Sequence, residues 1–223
     1  LRPELEEILY SAMEDFKVNI IIGQGISANS ITLQLPKFTL IGATTRMGLL
    51  TRPLISRFGI DIKLDLYETE DIMKVVFRTA DLMEMNINEK ACREISRRSR
   101  GTPRIANKLM RRIRDFAQVH GDGGIDKSIT DFTFKKLDID EDGLTFHDRK
   151  FLHVIIENHN GGPVGIDTLA VSLGETTETI EDVIEPYLIQ KGYITRTPRG
   201  RCAAKKSYEY FSKSFPNSQN YFF

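Results

Sequence analysis

Residues 177–204 read TETIEDVIEPYLIQKGYITRTPRGRCAA, and this stretch determines the fold predicted for the C-terminal part of the chain. Apolar residues first recur at helical spacing, and two β-rich runs, 193–196 and 201–204, then flank the turn sequence Thr197-Pro198-Arg199-Gly200. Helices are predicted over residues 149–158, 166–173 and 177–190. Three helices followed by a β-hairpin form a winged helix, an elaborated helix-turn-helix.

The middle of the chain, residues 67–140, is predicted to be strongly helical. Helical periodicity covers residues 70–85, 88–99, 102–119 and 126–137. Asn88 and Thr102 are predicted N-caps, and Pro103 occupies the favoured first position of its helix. The acidic stretch over 138–143 predicts a linker to the winged-helix segment, residues 141–223.

Residues 1–66 predict a helix, a β-hairpin and a strand. The strands of the hairpin are predicted at 18–23 and 30–35, around a long tip. Residues 38–43 form a short, nearly continuous apolar run, which is typical of a central parallel strand buried on both faces. Because the chain begins with Leu1 inside a predicted helix, we expect it to be the C-terminal part of something longer.

Composition and charge exclude several classes of protein. The 223 residues are 40% hydrophobic, with 31 basic and 31 acidic side chains, so a uniformly basic nucleic-acid coat is excluded. No apolar run approaches the roughly 20 residues that a membrane helix needs. The two cysteines, Cys92 and Cys202, lie far apart, which fits a reducing cytoplasm, and the four histidines lack metal-ligand or catalytic spacing.

The sequence offers only isolated residues as candidate ligands for a nucleotide. The sequence contains no GxxxxGK(S/T) motif and no apolar strand ending in an Asp-Glu pair for magnesium. Thr45 and Arg46 follow the predicted strand at its carboxyl end, where open α/β sheets bind ligands. Arg57 lies just past the next loop, and Arg104 lies in the first turn of a predicted helix. Each arginine is either a phosphate ligand or an ordinary solvated side chain.

Six motifs together resemble a known family. They are LIGATTR (40–46), SRFG (56–59), RGTPRIAN (100–107), GGPVG (161–165), EPYLIQKGY (185–193) and RTPRGR (196–201). In this order they resemble the RuvB family of AAA+ ATPases, the bacterial motors of Holliday-junction branch migration. The resemblance runs nearly end to end and implies three parts. These are the C-terminal part of an AAA+ α/β core with the hairpin (1–66), a helical lid (67–140) and a DNA-binding winged helix (141–223).

The resemblance also implies a nucleotide site that binds ATP and Mg²⁺, with the P-loop and the magnesium-binding acids in a further N-terminal portion of the family. Thr45 would be sensor 1, which watches the γ-phosphate and the attacking water. Arg57 would be the arginine finger that reaches into a neighbouring subunit, and Arg104 would be sensor 2 on the lid. The pocket would further be lined by Glu14, Asp15, Phe16 and Tyr67. Without the resemblance, Phe16 and Tyr67 would be read as core aromatics.

The partners that the resemblance implies are DNA, like subunits and other proteins. They are the four-way Holliday junction and duplex DNA, a hexameric ring of like subunits, the junction-binding protein RuvA and the junction resolvase RuvC. The hairpin over 20–35 would dock RuvA, although it can also be read simply as two further sheet strands. The implied setting is recombination, repair and the SOS response to DNA damage in the cytoplasm.

The charges of the predicted winged helix favour phosphate contacts by the wing over base reading. The third helix is acidic, with Glu175, Glu178, Glu181, Asp182 and Glu185, so it should be repelled by DNA phosphates. The hairpin is basic, and we expect Arg196 and Arg201, together with Arg199, to contact phosphates without specifying sequence. The alternative is a solvated basic wing.

Two other functions compete with the motor. A non-enzymatic winged-helix regulator would not need Arg57 or Arg104, and its third helix should be basic. A clamp-loader-type AAA+ subunit would share the sensor residues but lacks a C-terminal wing of this kind. Because the 223 residues include no P-loop, we expect this chain alone neither to bind nor to hydrolyse ATP.

Overall fold

The computed structural model describes residues 3–22, 29–45, 47–121 and 123–215. The chain forms two compact units, of which the first ends at Leu64 and the second begins at Asp65. Within the described residues, no helix has the length and apolar character needed to cross a membrane. The predicted hairpin tip, Arg46 and the C-terminal residues 216–223 lie outside the described part.

The first unit is built from two helices and one hairpin. Its elements are α1 (Pro3–Asp15), β1 (Lys17–Ile22), β2 (Asn29–Gln34) and α2 (Arg52–Arg57). The two strands pair in antiparallel fashion, with Lys17 opposite Gln34 and Ile20 opposite Ile31. The predicted hairpin is therefore confirmed, with each strand beginning one residue earlier than expected. Thr51 precedes α2 as its N-cap, because its side chain accepts a hydrogen bond from the Leu54 amide.

The prediction of a buried strand over residues 38–43 is wrong. These residues adopt no regular secondary structure, and Ile41 is 87% exposed. A central strand needs neighbours on both edges to take up its amide and carbonyl groups. Among the described residues of this unit the only strands are β1 and β2, and these pair with each other. The apolar run consequently lies outside any strand, with Phe38 and Ile41 exposed to solvent.

The second unit begins with the four helices predicted from periodicity. They are α3 (Thr69–Leu82), α4 (Glu89–Arg98), α5 (Pro103–His120) and α6 (Lys127–Lys136). Asn88 caps α4 by accepting the Ala91 amide at 2.8 Å, as predicted. Thr102 occupies the N-cap position of α5 but makes no side-chain capping bond. The helices enclose one apolar core that includes Ile72, Val76, Ile95, Met110, Ile113 and Phe134.

The same unit continues into a winged helix, as predicted. Its helices are α7 (Phe146–His153), which continues as a π-helical turn over Val154–Asn158, α8 (Ile166–Leu173), and a third helix over 177–190. That third helix consists of α9 (Thr177–Thr179), a π-helical turn (Ile180–Ile184) and α10 (Glu185–Gln190). The wing is β3 (Ile194–Thr197) paired with β4 (Gly200–Ala203), followed by α11 (Lys205–Tyr210).

Two glycines let the wing pack closely against the loop that precedes α8. Val164 pairs with Arg201 of β4 as an isolated antiparallel bridge. A Cβ on Gly162 would lie 2.3 Å from the Arg201 carbonyl oxygen, and one on Gly200 would lie 2.3 Å from the Val164 carbonyl oxygen. Both glycines also have positive φ. The GGPVG and RTPRGR motifs are therefore two sides of one backbone contact.

The acidic stretch predicted as a linker lies between two separate cores, but aromatic and basic side chains hold it in place. Asp140 accepts a hydrogen bond from the Tyr210 hydroxyl at 2.5 Å. Arg149 lies 2.5 Å from an Asp138 oxygen and 3.6 Å from an Asp140 oxygen. Asp142 accepts from the Tyr193 hydroxyl at 2.9 Å. The linker is thus a fixed part of the second unit.

Candidate nucleotide and DNA sites

Arg57, the predicted arginine finger, is held in place by two contacts with α1 and one within α2. It is the last residue of α2, and its Nη2 lies 2.8 Å from Glu14 Oε1. Its guanidinium lies 4.3 Å from the centre of the Tyr10 ring, in cation–π geometry. Its Nη1 also donates to the Pro53 carbonyl at 2.9 Å. The side chain is 25% exposed, so the cation is positioned while remaining accessible.

A buried carboxylate fixes the start of α2 to α1. Glu6 is 5% exposed and accepts hydrogen bonds from Thr51 at 2.6 Å and from the Tyr10 hydroxyl at 2.9 Å. These bonds, of which the Thr51 bond has the larger effect, hold the pKa of Glu6 below its ordinary value. Because Thr51 is also the N-cap of α2, the cluster orients the helix that carries Arg57.

The residues predicted to line the nucleotide pocket on this unit have distinct surroundings. The Glu14 side chain pairs with Arg57, whereas Asp15 is exposed. Phe16 follows α1 with φ of 54° and contacts the Phe38 ring edge-on, with ring centres 5.9 Å apart. Sequence reasoning missed Tyr10 as a partner of Arg57. The available signal was the spacing of Tyr10 and Glu14, which puts both on one face of α1.

Thr45, the predicted sensor 1, is exposed and lies outside any helix or strand. It follows the run over 38–43 that forms no strand, so the expected carboxyl edge of a sheet is not formed there. Its role therefore stays a prediction that rests on the LIGATTR motif.

On the second unit, Tyr67 and Arg104 are joined by one short loop. The Tyr67 amide donates to the Gly101 carbonyl at 2.9 Å. A Cβ on Gly101 would lie 2.7 Å from Leu66 Cβ and from the Tyr67 carbonyl oxygen, and its φ is +65°. Only glycine allows this approach. Residues 100–104 therefore fix the segment before α3 through Gly101 and place Arg104 in the first turn of α5.

Arg104 has the features of a phosphate ligand. It is exposed in the first turn of α5, and no carboxylate of the described residues pairs with it. The first amides of an 18-residue helix have no intrahelical acceptor and carry the positive end of its dipole. A guanidinium beside them suits a phosphate oxygen.

The tip of the wing presents two exposed arginines. Arg199 lies in the turn between β3 and β4 and is exposed. Arg196 is 57% exposed and pairs with Glu181 at 2.9 Å. An exposed ion pair contributes little in water, at about 0–1 kcal/mol, so a phosphate can replace Glu181 at small cost.

Arg201, which was also predicted to contact DNA, points into the domain. It is 6% exposed, its Nε lies 2.5 Å from one Glu185 oxygen, and its Nη2 lies 3.2 Å from the other. Nη2 also lies 3.1 Å from Glu181. Burial lowers the pKa of Arg201, but the hydrogen bonds and charges of Glu185 and Glu181 outweigh burial and raise it. This geometry counts against Arg201 as a direct phosphate ligand.

The acidic third helix is less exposed to DNA than its sequence suggests. Glu185 is 2% exposed and is neutralised by Arg201, while Glu181 is shared between Arg196 and Arg201. Glu178 and Asp182 are exposed. The helix still offers no basic surface for base reading, but its charge is partly balanced from within the domain.

No magnesium site is formed by the described residues. They contain no group of three His, Cys, Asp or Glu side chains that could hold a metal ion. Both cysteines are free and buried, and burial raises the pKa of the Cys92 thiol to about 11.

Comparison with family models accounts for most of the chain. Residues 1–64 match the Holliday junction DNA helicase RuvB P-loop domain. Residues 67–140 match the RuvB AAA lid domain, and residues 141–212 match the RuvB C-terminal winged helix domain.

Solved structures of Thermotoga maritima RuvB match the same architecture. The structure described as the Holliday junction branch migration motor is 44% identical, with a TM-score of 0.81 over 97% of this chain and 67% of its own. Two mutants of the same protein have TM-scores of 0.82 and 0.83, each at 44% identity over 97% of this chain and 68% of theirs. The match spans both the lid and the wing.

Proposed function

The chain belongs to the RuvB family of Holliday junction DNA helicases, and on that premise we propose which of its residues drive branch migration. Arg57 serves a neighbouring nucleotide site, the lid senses nucleotide through Tyr67 and Arg104, and the winged helix holds DNA. The observation that carries the proposal is that a positioned Arg57, an exposed Arg104 and a basic wing tip occur in one chain in this order.

Hydrolysis of ATP supplies the free energy of the motor, and the residues of this chain act on the charge that develops on its phosphates. An arginine finger needs a permanent cation in a fixed place, because it stabilises the transition state rather than the bound nucleotide. Glu14 and Tyr10 provide that place for Arg57 from a single helix. The Glu14 carboxylate therefore pairs with the Arg57 guanidinium. This pairing explains why an acidic side chain lies beside a phosphate site.

We assign nucleotide sensing on the lid to Tyr67 and Arg104, and sensing on the first unit to Thr45. The backbone of Glu14, Asp15 and Phe16 contributes further contacts to the pocket. The exposed Arg104 and the first amides of α5 suit a phosphate. We assign the magnesium ligands to the P-loop part of the family; the described residues contain no group of three His, Cys, Asp or Glu side chains that could hold a metal ion.

We assign DNA binding to phosphate contacts by Arg196 and Arg199. Both are exposed on the wing, and phosphate contacts position a protein without specifying sequence, as a motor that moves along DNA requires. Arg201 supports the wing from inside through Glu185. Lys206 adds charge near the wing, with its Nζ 4.3 Å from the centre of the Tyr193 ring.

The hairpin is the surface that we assign to RuvA. Ile20 lies opposite Ile31, and Val18 lies opposite Leu33, so all four share one face of the hairpin. Ile20, Ile31 and Leu33 are exposed, and an apolar face of this kind suits a protein partner. From membership of the family we further propose a hexameric ring, a contact with RuvC, a cytoplasmic location and a role in the SOS response.

The test uses the 223-residue chain with a four-way junction and two unrelated duplexes of equal length. We expect similar affinity for both duplexes, weakened by Arg199→Ala and unaffected by Arg112→Ala, a matched exposed arginine on α5. We also expect no ATP turnover, since the chain has no P-loop. Binding to only one duplex, or turnover that Arg104→Ala abolishes, would contradict the proposal.

A further inference from the structure

The lid and the winged helix do not share an apolar core. Their buried side chains form two separate clusters, one around Ile95, Met110 and Phe134 and the other around Phe151, Ile155 and Leu188. Polar side chains therefore join the two domains. Arg100, which lies between α4 and α5, makes several of these contacts.

The Arg100 guanidinium has three partners on the winged-helix side. Its Nε donates to the Gly143 carbonyl at 2.8 Å, and its Nη2 forms an ion pair with Asp148. The guanidinium also lies 4.4 Å from the centre of the Tyr187 ring. Arg100 and Asp148 are both nearly buried, with side chains 12% and 3% exposed. Because water is largely excluded, removal of either partner would leave the other as an uncompensated buried charge, which is strongly destabilising.

The partners of Arg100 are themselves fixed to different parts of the winged helix. Asp148 closes the capping box of α7 by accepting the Thr145 amide at 2.7 Å. The Tyr187 hydroxyl donates to the Asp142 carbonyl at 2.7 Å, and Tyr187 belongs to α10. One side chain from the lid thus reaches the first helix, the third helix and the linker together.

The backbone of Arg100 belongs to the loop that contacts Tyr67 and leads into Arg104, the two lid residues assigned to the nucleotide. Arg100 has φ of 56°, and Gly101 next to it holds the Tyr67 amide. Arg104 follows in the first turn of α5. A cleft of about 400 Å³ opens beside this loop, lined by residues of both domains that include Tyr67, Arg97, Gln190 and Lys191. Beside the Arg100 contacts, the Gly143 backbone also lies close to α4, since a Cβ on Gly143 would be 3.0 Å from the Arg98 carbonyl oxygen.

We propose that Arg100 is a positioning residue that makes the winged helix follow the lid. Nucleotide contacts at Tyr67 and Arg104 then shift the loop over 100–104, and Arg100 transmits that shift to α7 and α10. This inference rests on the proposed function of those two residues. Arginine is required because lysine has no planar fork with which to hold Gly143 and Asp148 at once.

The first experiment measures whether the two domains keep one arrangement in the 223-residue chain. Spin labels are placed by Val119→Cys on α5 and Val171→Cys on α8, both exposed, whereas the native Cys92 and Cys202 are buried and react poorly. Pulsed electron resonance should give one narrow distance distribution. Arg100→Ala and Arg100→Lys should broaden it, whereas Arg112→Ala should not.

The second experiment joins a P-loop segment of the family ahead of residue 1 and measures junction movement per ATP hydrolysed. We expect Arg100→Lys to lower this ratio by about 2- to 30-fold, the range over which such networks change coupling. DNA-independent hydrolysis should change less than the ratio, because Arg100 does not contact the phosphates. A structural defect alone would lower movement and hydrolysis together.

The outcomes separate this inference from the proposed function. If the parent moves no junction, the proposed function fails. If the parent moves junctions and Arg100→Lys moves them with the same ratio, or the label distances stay narrow, the role of Arg100 is refuted. If Arg100→Ala does not fold, Arg100→Lys decides between these results. Asp148→Asn should lower the ratio to the same extent, and its effect should not add to that of Arg100→Lys.

Discussion

Arg201→Ala removes the guanidinium that lies between Glu181 and Glu185 inside the winged helix. Glu185, which is 2% exposed in the parent, would then lack the cation that now contacts both of its carboxylate oxygens. The loss of one partner of a buried ion pair costs about 3–5 kcal/mol, because an uncompensated charge stays in a poorly solvated place. We therefore expect a large destabilisation from a residue that the sequence marks as a surface contact.

The magnitude can be checked by thermal unfolding followed by circular dichroism. At about 2–4 °C per kcal/mol for a unit of 150–250 residues, Arg201→Ala should lower the Tm by roughly 6–20 °C. The double change Arg201→Met with Glu185→Leu removes both charges and should recover most of the loss. Arg199→Ala is the matched control, since Arg199 is exposed in the adjacent turn and should change stability by less than about 0.5 kcal/mol.

DNA titrations of the same variants complete the test. Arg199→Ala should weaken DNA binding without a change in Tm. The main effect of Arg201→Ala should be a lower Tm. If Arg201→Ala unfolds like the parent and lowers the slope of log affinity against log salt by about 0.9, then Arg201 contacts a phosphate directly and our assignment is refuted.

Four further predictions concern the finger, its support, the wing and one carboxylate. With a P-loop segment joined ahead of residue 1, Arg57→Ala should lower kcat by about 10³–10⁵ and leave the nucleotide Kd largely unchanged. Mixing with P-loop-dead subunits should restore part of the activity, and loss of affinity without restoration would contradict a role across subunits. Tyr10→Leu should lower kcat by about 2- to 30-fold, since a cation–π contact contributes about 0.5–2 kcal/mol; an unchanged kcat would show that the ring does not position Arg57. Arg196→Ala should lower the salt slope by about 0.9 on two unrelated duplexes, and unequal losses would indicate base reading. The folded-state pKa of Glu6 is lowered, so its ionised form adds stability that is complete above the unfolded pKa and is lost as the pH falls through the folded pKa. Hydrogen exchange of α1 and α2 should show this loss in the parent and not in Glu6→Gln, and identical pH profiles would exclude it.

The helical and winged parts of the fold could be predicted because their signals are local. The Asn88 cap, the first-turn Pro103 and the turn over 197–200 each specify an element from a few neighbouring residues. The run over 38–43 could not be placed in this way, since a buried strand depends on partners elsewhere. The apolar side chains of this run indicate a preference for burial. They do not provide the neighbouring strand that burial in a sheet requires.

The site was predicted in its residue types but not in its contacts. Motif resemblance pointed to Arg57, yet the Tyr10 ring and the Glu14 carboxylate that hold it follow from how α2 packs on α1. Charge pattern pointed to a basic wing, but Arg196 and Arg201 lie opposite each other and share one face of the hairpin, so alternation along the strands does not separate them. Packing against the third helix distinguishes them, because Arg201 is buried against Glu185 while Arg196 is 57% exposed, and Arg199 lies exposed in the turn.

The measurement that tests the central claim most directly is branch migration of a synthetic four-way junction. The chain is joined behind a P-loop segment of the family and supplied with ATP, Mg²⁺ and RuvA, and strand separation is followed over time. We predict that the parent moves the junction, whereas Arg57→Ala and Arg104→Ala leave it in place although both still bind it. Junction movement by Arg57→Ala at the rate of the parent, or ATP hydrolysis by the parent with no movement, would contradict the account.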